Sequence, residues 1–587
     1  MGAGVSDDGG RHSGRTWRTP GGDLPDPWRA KDACGVGLVA RASGAASGDI
    51  LRLALTAVGR LAHRGAASHD HSGDGAGVLT QIPRWFYAVE AGRLGIPLAD
   101  RPFGVGVFFL PHDRAGQGRA VRLIADGLRA EGIPVLGWRE VPVAPGALAP
   151  SARDTRPAIW QAFVGAPAPA GLRDDDAWER ALYLARRGIE RRAAEAGVDP
   201  FFVCSLSCRT VVYKALLTGP ELPRFFHDLR QPEYETAIAV FHQRYSTNTV
   251  PSWPLAQPFR LLAHNGEINT LWGNRNAMEA REAAFVSPSW GDRVDRLKPV
   301  IWRDGSDSAG LDNALELLVR AGRDPVHAVM MLVPEAVGHA GPDADPALRA
   351  FYEYHECLLE PWDGPAALTL TDGLTAVAAV DRNGLRPCRY QVTRDGIVIA
   401  ASEVGVADFA PEEVLEHGRL GPGELLAVDT RRAAILHGGA ARREVARRRP
   451  YARWVAQCVR DLAAPAAGTP APDPTPEELQ PRQVAFGWSF EDLRFVVEPM
   501  GETGQDAVWS MGDDTPIPPL ARFPQSLYAF FRQRFAQVTN PAIDSLREAS
   551  VMSLRMLLGR RGSLLAERPA GVRLVRVEHP VLLEPEL

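Results

Sequence analysis

From residue 34 to about residue 440 the chain is a succession of short apolar runs, most of them ended by Gly, Pro, Asp or Asn before they reach the length of a buried helix. "CGVGLVA" at 34–40, "GAGVLTQIP", "GVGVFFLP", "FFVCSLS", "TAIAVFHQRYS" and "FRLLAHNG" read as strands. Three longer amphipathic stretches between them, "DILRLALTAVGRLAHR", "DAWERALYLARRGIERRAAEA" and "SAGLDNALELLVRAG", read as helices. A later group, "PAALTLTDG", "LTAVAAVDRNG", "GIVIAASEVGV" and "ELLAVDTRRAAILHGG", reads as hairpins with Asp-Gly and Asn-Gly turns. The pattern predicts a strand-rich layered domain over 34–440.

Residues 1–33, rich in Gly, Arg, Asp and Pro, form a leader expected to be disordered. Residues 441–481 read as a connecting segment ending in the Pro/Ala-rich "LAAPAAGTPAPDPTPEELQP", and 482–587 as a further folded piece. A net charge of −5 with 23% charged residues gives no nucleic-acid or polybasic membrane footprint. No run approaches the ~18 apolar residues of a membrane span, and the leader has no secretory core, so the expected location is cytoplasmic. Six irregularly spaced cysteines fit a reducing compartment. Cys204 and Cys208 in "CSLSC" could be half a metal site, but without a matching second pair they are better read as strand residues.

Cys34 raises a chemical question. A thiol with a pKa near ~8.5 is mostly protonated at neutral pH and requires a base to act as a nucleophile. If the chain is cut at Ala33–Cys34, the freed α-amine, with a pKa of ~7.7–8, supplies that base on the same residue. Gly35 and Gly37 would then let substrate approach the backbone. Alone, the segment fits a small buried thiol better. In "FHQRYSTNTVPSWPLAQPFRLLAHNGEIN" (241–269), Asn265 and the Gly266 N–H could donate to one point, as an oxyanion needs, although Asn-Gly is also the commonest hairpin turn. Arg244, at a strand end, could clamp a carboxylate or be a surface charge. In "DGSDSAGLDNALELL", Ser306 or Asp307 reads as a helix N-cap, and Asp307 could also hold an ammonium group.

The order Cys-Gly-x-Gly, Arg-Tyr-Ser-Thr, His-Asn-Gly-Glu, Ser-Asp-Ser closely resembles the class II glutamine amidotransferase domain of the N-terminal-nucleophile hydrolases. "AHRGAASHDHSGDGAGVLTQIPRWFY", "WDGPAALTLTDG", "DRNGLRPCRY" and "ASEVGV" resemble the glutaminase domain of the glutamate synthase large subunit. "GWSFEDL", "GETGQDAVWSMGDDTPIPPL" and "QVTNPAIDSLREASVMSL" are similar to the start of its central domain.

The resemblance implies an α+β fold, a four-layer αββα sandwich over 34–440, followed by an incomplete α/β central domain over 482–587. It implies Cys34 as the nucleophile, Asn265 and Gly266 as the oxyanion hole, and Arg244 and Thr247 as glutamine-binding residues, with Asp307 on the α-ammonium. His63, Arg64 and Gly65 would position the active-site loop, and His264 would face away from the oxyanion pair. L-glutamine is the implied substrate and a synthase domain or subunit the implied recipient of ammonia. FMN and an iron–sulfur cluster are expected on that synthase portion, with no cofactor or metal on this chain. The alternative is a stand-alone or regulatory amidotransferase-like subunit without synthase activity.

Overall fold

The computed structural model describes residues 34–98, 101–167, 174–246, 249–336, 345–462, 473–505, 520, 522, 548 and 552–580. Residues 1–33 and half of the Pro/Ala stretch lie outside them. The chain divides into two units, one formed by Met1–Val455 with Arg561–Val572, the other by Ala456–Arg560 with Arg573–Leu587.

Among the described residues, sixteen strands build the first unit: β1 (Gly35–Arg41), β2 (Ala76–Gln81), β3 (Phe103–Leu110), β4 (Val135–Glu140), β5 (Ala158–Gly165), β6 (Phe202–Ser207), β7 (Thr210–Ala215), β8 (Ile238–Gln243), β9 (Leu262–Gly266), β10 (Ala366–Thr371), β11 (Thr375–Val380), β12 (Arg389–Thr393), β13 (Ile397–Ala401), β14 (Val414–Arg419), β15 (Leu425–Asp429) and β16 (Ala434–His437). They make a seven-stranded sheet in the order β14-β12-β13-β1-β8-β2-β7, a five-stranded sheet β16-β15-β11-β10-β9 and a four-stranded sheet β4-β5-β3-β6.

The two larger sheets pack face to face. Val36, Leu38, Ala40, Ile238 and Val240 from one meet Ala263, Ala367, Ala376 and Ala378 from the other in a single buried cluster. The central strands β1, β8 and β11 are covered on both faces, so they are buried on both sides rather than alternating. The outer face of the larger sheet takes Ile50, Leu51, Ala54 and Val58 of the helix Gly48–Arg60. Over the smaller sheet, Leu311 and Leu315 of the helix Asp307–Arg320, with Val329 and Leu332 of the helix Pro325–Leu332, meet Leu262, Leu368 and Leu370. Four layers result, helix–sheet–sheet–helix. The four-stranded sheet has its own core against the helices Arg114–Arg129 and Asp175–Glu195.

Three sequence expectations change. Asp-Gly at 372–373 turns β10 into β11, and Asp-Gly at 395–396 turns β12 into β13, but Asn383-Gly384 makes no hairpin. It carries the chain from β11 in one sheet to β12 in the other. The boundary expected at residue 440 moves to Val455, because the helices Gly438–Ala446 and Tyr451–Cys458 bury Ala441, Val445, Tyr451 and Val455 in the first unit. Finally, the end of the Pro/Ala stretch holds a helix, Pro476–Ala485. Thr475 and Glu478 cap it reciprocally, and Pro476 sits at its start, where no N–H is needed. In the second unit Val459–Asp461 pairs parallel with Leu574–Val577, which pairs antiparallel with Met556–Leu558.

Candidate active site

β1 and β8 place the first two candidate residues. Gly35 pairs with Gln243, so Cys34 lies opposite Arg244 just beyond the paired register. Alternation puts Cys34 on the face shared by Val36 and Leu38, and Arg244 on that shared by Val240 and His242, both looking into the space between the two large sheets. The thiol of Cys34 rests on the Tyr245 backbone, Sγ being 3.3 Å from both its N–H and its carbonyl oxygen. Burial pushes the thiol pKa up, while the Tyr245 N–H and the charges of Arg244 and Arg386 pull against it. The thiol is therefore weakly nucleophilic unless a base is supplied.

Gly35 and Gly37 do not serve substrate approach as their spacing predicts. They lie on the opposite face of β1, where a Cβ on Gly35 would fall 2.7 Å from the Leu61 side chain and one on Gly37 2.3 Å from the Phe241 ring. These glycines let β1 pack closely against its own layer and the helix behind it.

Arg244 is held from several sides. Ala66 N–H donates to its carbonyl at 3.2 Å, and its own N–H donates to Gly75 O at 2.8 Å. Nη2 donates to Thr249 Oγ1 at 2.6 Å, whereas the buried Nη1 has no partner among the described residues. Thr247, expected beside it, lies outside the described residues. Sequence reasoning missed Asp74, in the quoted "SGDG". Its carboxylate accepts from the Ser246 N–H at 2.6 Å; burial pushes its pKa up, and the Ser246 bond and Arg244 pull it back. It also missed Glu403, in the quoted "ASEVGV". His63 Nε2 at 2.8 Å and Arg64 Nε at 2.6 Å grip its two oxygens, tying the 62–75 loop to the end of β13. The motif "AHRG" marked one side of that clamp, but nothing in the sequence paired it with a carboxylate 339 positions away.

β9 is the free edge of the five-stranded sheet. Ala263 faces the inter-sheet core, so Asn265 does too, and His264 faces the helix layer, where Nδ1 meets Ser308 Oγ at 2.8 Å. Asn265 is 1% exposed, yet neither its amide nitrogen nor its amide oxygen has a hydrogen-bond partner among the described residues. An amide left that way costs roughly 1–3 kcal/mol, which a ligand would repay. Glu267 N–H donates to Pro365 O at 2.9 Å, so Gly266–Ala366 is the neighbouring non-bonded pair. The Gly266 N–H therefore points off the sheet edge. Only glycine fits here, since φ is +146° and a Cβ would fall 1.8 Å from Pro365 O. No hairpin is involved, because β9 pairs with β10, a hundred positions on.

Asp307 begins the helix Asp307–Arg320, with Ser306 as N-cap accepting from Ala309 N–H. One Asp307 oxygen accepts from Ile268 N–H at 3.0 Å and the other from Ser308 N–H at 2.7 Å. The carboxylate is thus fixed just behind the exit of β9, and its charge acts on Cys34, Arg244 and His264. A buried thiol, a guanidinium and a fixed carboxylate thus act on one another, and the unpartnered Asn265 amide faces the same inter-sheet space. Cys204 and Cys208 are elsewhere, buried in separate apolar clusters, with the Cys204 thiol pushed up to about 12 by burial.

A four-layer sandwich with a cysteine at the head of a central strand, facing the gap between the sheets, is the N-terminal-nucleophile hydrolase architecture. Residues 34–454 match the family Glutamine amidotransferases class-II, and residues 481–587 match Glutamate synthase central domain. The chain belongs to the class-II glutamine amidotransferases. It is 43% identical over 570 residues to ferredoxin-dependent glutamate synthase 2 of Synechocystis sp., covering 96% of this chain and 36% of that one. To the glutamate synthase [NADPH] large chains it is 41% identical in Azospirillum brasilense (96% and 37% covered) and 42% in Bacillus subtilis (94% and 36%). The chain spans little more than a third of these relatives. The solved glutamine phosphoribosylpyrophosphate amidotransferase from B. subtilis shares 18% identity over 39% of this chain and 40% of its own, with a TM-score of 0.24.

Proposed function

We propose that the chain hydrolyses L-glutamine to L-glutamate and ammonia through a thioester on Cys34. The observation that supports this reading is the pair of buried donors without partners among the described residues, the Asn265 amide and Arg244 Nη1, on strands that face the same inter-sheet space as Cys34. In this reading the α-amine of Cys34, freed by loss of residues 1–33, takes the thiol proton. The thiolate attacks the side-chain amide carbonyl, and Asn265 Nδ2 with the Gly266 N–H holds the oxyanion. The protonated amine then gives its proton to departing ammonia, and water activated by the same amine opens the thioester. Arg244 binds the α-carboxylate, with Thr247 in the same loop, and Asp307 binds the α-ammonium.

The ammonia is destined for reductive amination of 2-oxoglutarate on a synthase portion carrying FMN and an iron–sulfur cluster, in the cytoplasm. The identity to proteins named glutamate synthases supports this assignment. Among the described residues no helix is long and apolar enough to cross a membrane.

Intact-mass analysis of purified protein, paired with glutamate release from L-glutamine, tests the reading. A mass lacking residues 1–33 together with turnover is expected; a retained leader and no turnover would point to an idle subunit. Asp307→Asn keeps the acceptor for Ile268 N–H but removes the charge. It should raise the glutamine KM by about 10–100-fold, the worth of a charge-assisted contact, with kcat less affected. An unchanged KM counts against the ammonium contact.

A further inference from the structure

Away from the proposed active site, the first unit buries a cluster with the donor set of a metal centre. His327 lies on the helix Pro325–Leu332, His355 on the helix Pro346–Glu356, and Glu567 on the return segment 561–572. The two Nε2 atoms are 3.2 Å apart, and Glu567 Oε1 is 3.5 Å from each. Both imidazoles are 3% exposed.

The hydrogen-bond account of this triangle is poor. His355 Nδ1 donates to the Phe351 carbonyl at 2.8 Å, so its Nε2 presents a lone pair to the cluster. Glu567 Oε1 is already an acceptor, taking the Tyr451 hydroxyl at 2.7 Å. One proton on His327 Nε2 cannot satisfy both neighbours, and 3.5 Å is longer than an ordinary N–H···O bond. A four-coordinate zinc ion with ligands at about 2.0–2.1 Å sets its donor atoms about 3.3 Å apart, which is the size of this triangle.

We propose that His327, His355 and Glu567 bind a zinc ion, with water completing the tetrahedron. The ion ties the return segment to two helices of the glutaminase unit and is structural. The Phe351 carbonyl and the Tyr451 hydroxyl orient the His355 and Glu567 ligands from outside. Burial holds both imidazoles below their ordinary range, against the upward pull of the Glu567 carboxylate. Against the upward push of burial, the groups around it hold the Glu567 carboxyl below its ordinary range. Arg323 and Arg448 oppose a cation here; the Arg323 Nη2 is committed to Leu564 O at 2.8 Å and Arg448 Nη1 to Asp324. The site departs from the expectation of no metal on this chain. Sequence spacing gave no sign of it, with 28 positions between the histidines and 212 more to the carboxylate.

The test uses the full chain, incubated with zinc, freed of excess and assayed for bound metal, beside His355→Gln and Glu567→Gln. One zinc per chain is expected, lost in both variants and retained in Cys204→Ser and Cys208→Ser. Cobalt-loaded wild type should show the intense visible absorption of a four-coordinate ion. The wild-type melting temperature should rise with zinc and fall back on chelation. Substoichiometric zinc in wild type, a melting temperature that zinc does not move, or full zinc in both ligand variants overturns the proposal. The wild-type measurements stand even if a variant fails to fold.

Discussion

Replacing Cys34 with alanine is expected to abolish glutamine hydrolysis, with a loss of at least about a thousandfold, because no other thiol or hydroxyl can take over a covalent step from that position. The comparison is clean: among the described residues the Cys34 Sγ hydrogen-bonds only to the Tyr245 backbone, so the variant should fold and bind glutamine as wild type does. A residual rate above about one-hundredth of wild type would rule out the covalent route. The pH response carries a second signature. Burial raises the thiol pKa, so the reactive thiolate fraction grows as pH rises and is small at neutrality. In protein that keeps its leader, alkylation of Cys34 should therefore accelerate through pH 8 without levelling, since an ordinary thiol already titrates near ~8.5. In cleaved protein, kcat/KM should instead level off once the α-amine has titrated, at about pH 8. Identical profiles for the two forms would remove the amine from the mechanism.

Asn265→Ala should lower kcat by about 10²–10³, the cost of removing one oxyanion donor, while leaving the glutamine KM close to wild type. The structure adds a stability prediction of unusual sign. Since the buried Asn265 amide has no partner among the described residues, its removal takes away an unsatisfied polar group. The variant should melt no lower than wild type, and glutamine or a glutamate analogue should stabilise it less. A variant that melts lower and keeps its kcat would make Asn265 a structural residue and leave the oxyanion without its side-chain donor.

The first unit was legible in the sequence because apolar run length distinguishes strands from helices here, and Gly, Asp-Gly and Pro punctuate the runs. The three amphipathic helices read from the sequence match the helices Gly48–Arg60, Asp175–Glu195 and Asp307–Arg320. Sheet membership was not legible. Asn383-Gly384 has the chemistry of a turn whether it joins two strands of one sheet or passes between sheets, and only packing decides. The glycines beside Cys34 were noticed for the right rarity and the wrong reason, since Phe241, which demands the space at Gly37, lies 204 positions away. Residues at the site with familiar local patterns were visible, whereas Asp74 and Glu403 act through partners distant in the chain. Their ordinary acidic contexts carry no mark of that.

The re-entry of 561–572 bears on how this protein can be dissected. Leu564 and Leu565 are 1% and 3% exposed within the first unit, and Arg568 N–H and O both engage the Tyr354 hydroxyl, at 2.9 and 3.1 Å. An expression boundary placed where the amidotransferase match stops, at residue 454, would discard this stitch and uncover the greasy seat beneath it. A shortened gene would do better to keep both ends and splice a brief flexible bridge in place of the excursion between them.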